Sequence, residues 1–69
     1  MYTIQNKIAL LRNERGILQE EVAEAVEVSR QTLSALEKGS YIPSLLLAMR
    51  IADFFGEPVE GLFCLEKIN

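Results

Sequence analysis

Apolar and polar residues follow one another along this chain with the spacing of short amphipathic helices. Ile4, Ile8 and Leu11 fall at i, i+4 and i+7, which predicts a first helix over residues 4–15, ended by Gly16. Val22, Ala23 and Val26 repeat at i, i+1 and i+4 and predict a second helix that begins at residue 19. Glu27-Val28 breaks that period. Ser29 is then a good N-cap, because its hydroxyl can accept a hydrogen bond from a first-turn amide. Leu33 and Leu36 give a third helix, residues 30–38, an apolar face of its own, and Gly39 supplies the left-handed residue that ends many helices. Residues 39–43, GSYIP, read as a loop. Ser44 caps a fourth helix whose Leu45, Ala48, Met49 and Ala52 share one face, with Ile51 and Phe55 beside them, and Gly56 closes it. Pro58 opens a short fifth helix from which Val59, Leu62 and Phe63 turn inward. An apolar tail, residues 64–69, follows. The expected fold class is all-α, a compact five-helix bundle forming a single domain over residues 1–69.

The stretch QEEVAEAVEVSRQTLSALEK, residues 19–38, is thus two helices joined by a tight turn. The outward face of its second helix carries Arg30, Gln31 and Ser34, with Ala35 one position over. Arginine and glutamine are the side chains suited to guanine and adenine edges in the DNA major groove, and alanine can touch a thymine methyl. Thr32 and Ser34 can reach phosphates or bases. Lys38, at the C-terminal end, suits both the helix dipole and a phosphate. Tyr41 can offer its hydroxyl to a phosphate or anchor the loop on the core, and the residues alone do not choose between these.

In order along the chain, Gln19-Glu20-Glu21-Val22-Ala23, Val28-Ser29-Arg30-Gln31-Thr32-Leu33-Ser34 and Leu36-Glu37-Lys38-Gly39 resemble the Cro/cI-type helix-turn-helix of the XRE family of bacterial and phage repressors. The likeness continues in Arg12, in Pro43-Ser44-Leu45 and in Ile51-Ala52 through Phe55-Gly56, so that it covers residues 6–63. It implies a lambda-repressor-like DNA-binding domain with its motif at 19–38. The implied function is a sequence-specific, double-stranded DNA-binding transcriptional regulator, with repression as the expected sense, that reads the major groove with helix 30–38. A homodimer would set two such helices about 34 Å apart on a partly palindromic operator. The resemblance also implies that Arg12 pairs with Glu37 and that Gln19 holds a backbone phosphate. The expected DNA-binding set is Gln19, Ser29, Arg30, Gln31, Thr32, Ser34, Ala35, Lys38 and Tyr41. Two positions depart from the family pattern. Leu18 stands where serine or threonine usually caps the second helix, and leucine has no acceptor, so other groups must cap that end or it frays. Glu27 stands where glycine is common in the turn, and must accept a left-handed backbone or shift the turn.

Charge narrows the reading. Seven basic against ten acidic residues give a net charge of −3, which argues against a general polyanion binder and leaves room for a local basic face. Glu20, Glu21, Glu24 and Glu27 make the second helix acidic. There is no histidine and one cysteine, Cys64. Neither a disulfide within one chain nor a zinc-ligand spacing exists, no cofactor is called for, and an enzyme has little support. No secretory signal or membrane span is readable, so a reducing cytoplasm is expected. Leu65 and Ile68 exceed what a frayed terminus needs, and Leu10 and Leu46 stand where related sequences more often carry charge; several such side chains together on one side would mark a contact surface. A dimer interface is expected at Leu62, Phe63 and Leu65, in competition with a tail that folds back over its own core. The same leucines, with the acidic balance, favour the alternative of a protein-interaction module of this fold, an antitoxin or an anti-repressor partner.

Overall fold

A computed structural model describes residues 1–68. The chain runs β1 (Tyr2–Asn6), α1 (Ile8–Glu14), α2 (Gln19–Ala25), α3 (Arg30–Glu37), α4 (Leu45–Phe55), α5 (Val59–Leu62) and β2 (Phe63–Lys67). Five helices stand as expected, but the chain is not all-α. The N-terminal part of the expected first helix is a strand, and the expected tail is its antiparallel partner, with Ile4 opposite Leu65 and Asn6 opposite Phe63.

The cause lies at Asn6. Its carboxamide oxygen accepts from the Ile8 amide at 3.2 Å, and its nitrogen donates to the Leu36 carbonyl at 2.9 Å. This side chain satisfies an orphan donor at the start of α1 and prevents the helix from extending backwards. Upstream, Tyr2, Thr3 and Ile4 are residue types that fit a pleated strand once a partner is present. That partner arrives because α5 passes into β2 without a loop, with the Lys7 amide bonded to the Leu62 carbonyl at 2.8 Å. The tail therefore folds back on its own domain. None of the ten strand residues is fully buried, so the sheet flanks a helical core.

Ile8, Val22, Leu33, Leu36, Ile51 and Leu62 form that core at no more than 1% exposure. Each such side chain contributes about 1.5–3 kcal/mol by leaving water. On α4 the buried face is Leu47, Ala48, Ile51, Ala52 and Phe55. Leu45 and Met49, expected inside, are 72% and 54% exposed. In LLLAMRIADFF almost every rotation finds apolar residues, and the polar pair Arg50 and Asp53 fixes the outward side.

Four helices end in one way. A left-handed residue follows the last turn and two amides bond back to orphan carbonyls. At α3, Gly39 donates to Leu36 at 3.0 Å and Ser40 to Ala35 at 2.9 Å. Gly16 and Gly56 close α1 and α4 alike, and Glu27 closes α2 with φ 63°. Glu27 therefore accepts the left-handed backbone rather than moving the turn.

Candidate nucleic-acid interface

The two-helix unit is locally determined. At the start of α2 the Leu18 amide donates to the Glu21 carboxylate at 3.1 Å. This supplies the half of a capping box that leucine still permits. Val22, Ala23 and Val26 bury the inner face of α2. After the turn, Ser29 accepts from the Thr32 amide at 3.1 Å and donates to the Thr32 hydroxyl at 2.9 Å. Leu33 and Leu36 then turn inward, which fixes which side chains α3 presents outward.

Those outward side chains meet α2. Gln19, Arg30, Gln31, Ser34, Ala35, Lys38 and Ser40 line one open hollow. Six of them belong to the expected DNA-binding set; Ser40 does not. Its only signal in the sequence is its place just after Gly39, where the closing turn brings it round beside Lys38. Ser29 and Thr32 are bonded to each other at the start of α3 and do not line this hollow. Tyr41, 44% exposed, lines a different hollow with Val28, Ser44, Leu46 and Arg50. Of the residues expected at a dimer interface, Leu62 is in the core at 1% exposure. Phe63 is half-buried, and Leu65 is 66% exposed.

The far end of α3 is held from three sides. Arg12 grips Glu37 with both ends of its fork, Nε to Oε2 at 2.8 Å and Nη2 to Oε1 at 3.2 Å, while Nη1 donates to the Ile17 carbonyl at 3.0 Å. Gln19 Nε2 donates to Glu37 Oε1 at 2.8 Å. Asn6 holds the Leu36 carbonyl, as above. The Arg12 pKa is raised above its usual value chiefly by its hydrogen bond to Glu37, with burial opposing and the carboxylate charge assisting. Glu37 sits at a helix C-terminus, where a carboxylate is disfavoured by the dipole, and the arginine offsets that. The Arg12–Glu37 pair implied by resemblance is present, and it makes one unit of α1, α2 and α3.

Gln19 thus has two demands on it. One amide N–H is taken by Glu37, and the second is free to donate towards the hollow. Among the described residues Arg12, Arg15 and Arg50 are in ion pairs. Arg30 and Lys38 are not, and both line the hollow. No three histidine, cysteine, aspartate or glutamate side chains come together as a metal site among the described residues. Among the described residues no helix is long and apolar enough to cross a membrane.

Comparison with known proteins places this geometry. A helix-turn-helix family model matches residues 8–62. The uncharacterized HTH-type transcriptional regulator YgzD of Bacillus subtilis is 47% identical over 66 residues, spanning 96% of this chain and 100% of YgzD. RstR, the transcriptional repressor of the cryptic phage CTXphi in Vibrio cholerae, is 42% identical over 64 residues, 93% of this chain and 58% of RstR. A crystal structure from Bacteroides fragilis, of a protein described as DNA-binding, superposes with a TM-score of 0.81 at 21% identity. It covers 90% of this chain and all of that one, and it supports the fold.

Proposed function

This chain belongs to the helix-turn-helix family of Cro/cI (XRE) type, and from that premise we propose that it reads double-stranded DNA in a sequence-specific way and represses transcription. The observation that carries the reading is the hollow in which Gln19 meets the outward face of α3. Arg30 and Gln31 stand at the N-terminal end of that helix, the end that enters the major groove first in this class. There they have the donor patterns for guanine and adenine, with Ala35 one turn on for a thymine methyl. Lys38, and the second N–H of Gln19, donate to phosphates on either side. Glu37 orients Gln19 for this role and touches no DNA itself.

Repression is supported by the likeness to RstR, and a cytoplasmic site of action fits a DNA ligand. The protein acts as a homodimer, with one α3 in each of two successive major grooves of a partly palindromic operator. With regulators among its relatives, this reading is favoured over a module that binds proteins alone. Selection of bound sequences from a random DNA pool tests it. The expected product is a two-fold site with half-sites one helical turn apart, lost in the Arg30→Ala, Gln31→Ala double variant. A pool that shows no enrichment at low salt would refute it.

A further inference from the structure

Of the two sheet edges, that of β2 is the more exposed. β1 lies beside the C-terminal end of α3, where Thr3, Ile4, Gln5 and Asn6 share a cleft with Glu37, Lys38 and Gly39. β2 is the other edge, and Cys64, Leu65, Glu66 and Lys67 are all exposed.

The hydrogen-bond phase of the ladder says what that edge displays. The Lys7 amide bonds to the Leu62 carbonyl at 2.8 Å, and the Ile68 amide to the Met1 carbonyl at 2.8 Å. Both pairs lie on the register that sets Gln5 opposite Cys64 and Thr3 opposite Glu66. In an antiparallel ladder, bonded and non-bonded pairs alternate. Cys64 and Glu66 therefore bond to β1, while Phe63, Leu65 and Lys67 aim their N–H and C=O groups away from it. Among the described residues the Phe63 amide of this row is taken by the Val59 carbonyl at the end of α5, and the Leu65 carbonyl receives a weak contact from the Cys64 thiol at 3.6 Å; the Leu65 and Lys67 amides and the Phe63 carbonyl are left to a partner. Such a row is a template for another strand.

We infer that two copies of this chain join by antiparallel pairing of their β2 edges about a two-fold axis at Leu65. The inference deepens the homodimer part of the proposed function and rests on it. The register follows from chemistry. Outward groups must meet outward groups, so Phe63, Leu65 and Lys67 can only face one another. Setting Leu65 against the partner's Lys67 would put Glu66 directly opposite the partner's Glu66, which is repulsive. Setting Leu65 against the partner's Phe63 leaves the groups of Lys67 without a mate in β2. Leu65 on Leu65 engages all three residues: the two Leu65 exchange two bonds, and each Lys67 amide donates to the partner's Phe63 carbonyl, the Phe63 amide staying with Val59. It sets Glu66 opposite the partner's Cys64 and covers the 66%-exposed Leu65 with its own mate. It also turns a two-stranded ribbon, marginal by itself, into a continuous four-stranded sheet. On each copy β1 then stands between the axis and the end of α3, held by the Asn6 bond to Leu36, and none of the residues that line the hollow lies on β2.

Two variants test this by sedimentation and oxidative cross-linking. Leu65→Pro removes an amide that β1 does not use, so the fold is retained by circular dichroism while the dimer dissociation constant rises at least tenfold. Leu65→Cys in a Cys64→Ser background places two thiols across the axis within disulfide reach, and a linked dimer forms on mild oxidation. Native Cys64, offset from its mate by two residues along the strand, does not link. A folded Leu65→Pro that sediments as the wild-type dimer removes the β2 edge and leaves the homodimer standing. Linking through Cys64 and not through Leu65→Cys overturns the register. A wild type that is monomeric at high micromolar concentration overturns the inference, and one copy per bound operator would remove the homodimer reading with it.

Discussion

The Arg12–Glu37 pair gives the sharpest test of how α3 is held. Replacing Arg12 with alanine strips Glu37 of both guanidinium bonds and leaves it the amide of Gln19. An exposed ion pair contributes about 0–1 kcal/mol, whereas breaking a buried one costs about 3–5 kcal/mol. The two side chains here retain 14% and 7% of their accessible surface, close to the buried limit. Arg12 also loses its bond to Ile17. The expected cost is about 2–3 kcal/mol for either single truncation, less than the full burial figure because the site is not sealed. In a domain of this size that lowers Tm by roughly 10–20 °C. Total stability at typical values per residue is about 3–10 kcal/mol, so a weakly stable parent would lose most of its margin. Urea unfolding of Arg12→Ala, Glu37→Ala and the double variant measures the coupling, and the double should cost at least about 1 kcal/mol less than the two singles together. The raised Arg12 pKa adds a sign check. A value raised on folding stabilises at every pH below the unfolded value and is lost only as pH climbs through the folded one. The Arg12 contribution should therefore be constant across the neutral range. Single variants within about 0.5 kcal/mol of wild type and strictly additive would refute the reasoning and make the pair a surface contact.

Other predictions concern the hollow and the turn. Arg30→Ala and Gln31→Ala should each cost about 1–3 kcal/mol on the selected site and relax preference at one base pair, as read by competition binding. Lys38→Ala should weaken all sequences alike and reduce the salt slope, whereas Gln19→Ala should weaken binding with the slope unchanged, because a neutral amide releases no counterion. With Lys38 from each of two copies on a phosphate and Arg30 on bases, the wild-type slope of log affinity against log salt should be roughly −2. Glu27→Gly should stabilise by about 0.5 kcal/mol, since it relieves a left-handed residue at φ 63° at the cost of some chain entropy. Its exposed ion pair with Arg50 at 3.0 Å contributes little. A fall in the unfolding midpoint of that variant would mean the ion pair outweighs the strain.

The helices that carry the motif were legible because their information is local. Val22, Ala23 and Val26, the Ser29 cap and Gly39 each act within one or two turns of their own position. The Arg12–Glu37 pair was legible through family resemblance, not through spacing. The strands were not legible, for a physical reason. Ile4, Ile8 and Leu11 satisfy helical spacing, and β1 is a strand only because β2 pairs with it from the other end of the chain. That contact leaves no periodic mark on either segment. The core face of α4 is legible in part: Ala48, Ile51, Ala52 and Phe55 lie on it, whereas Leu45 and Met49 point outward and Leu47 inward, because a helix with apolar residues almost all round hides the edges of its inward side. Leu62 reads both ways in the sequence, inward from the fifth helix and as part of an apolar C-terminal cluster; the turn from α5 into β2 directs it to the core and Leu65 outwards.

The acidic balance of this chain bears on why it should be double. Three of its seven basic residues are committed to holding the fold: Arg12 to α3, Arg15 to the Phe55 carbonyl and Glu57, and Arg50 to Glu27. On the hollow only Arg30 and Lys38 remain to meet phosphates or bases. A single copy with so few free cations has little of the sequence-independent attraction that supplies most non-specific DNA affinity, and the glutamates of α2 oppose what there is. In the proposed dimer, affinity would then come from base contacts and from joining two copies. Once one copy is seated, the second binds at the effective concentration set by the link between them, and the combined gain can reach about 10²–10⁴ with no new contact. That gain requires a stiff link of fixed span, because a loose one would let the second α3 miss its groove. Backbone pairing along β2 has that stiffness, and β1 and Asn6 carry it directly to the end of α3. The weak charge of the reading face and the exposed edge of β2 are on this account two parts of one arrangement: discrimination is gained by keeping each half weak and coupling the halves rigidly.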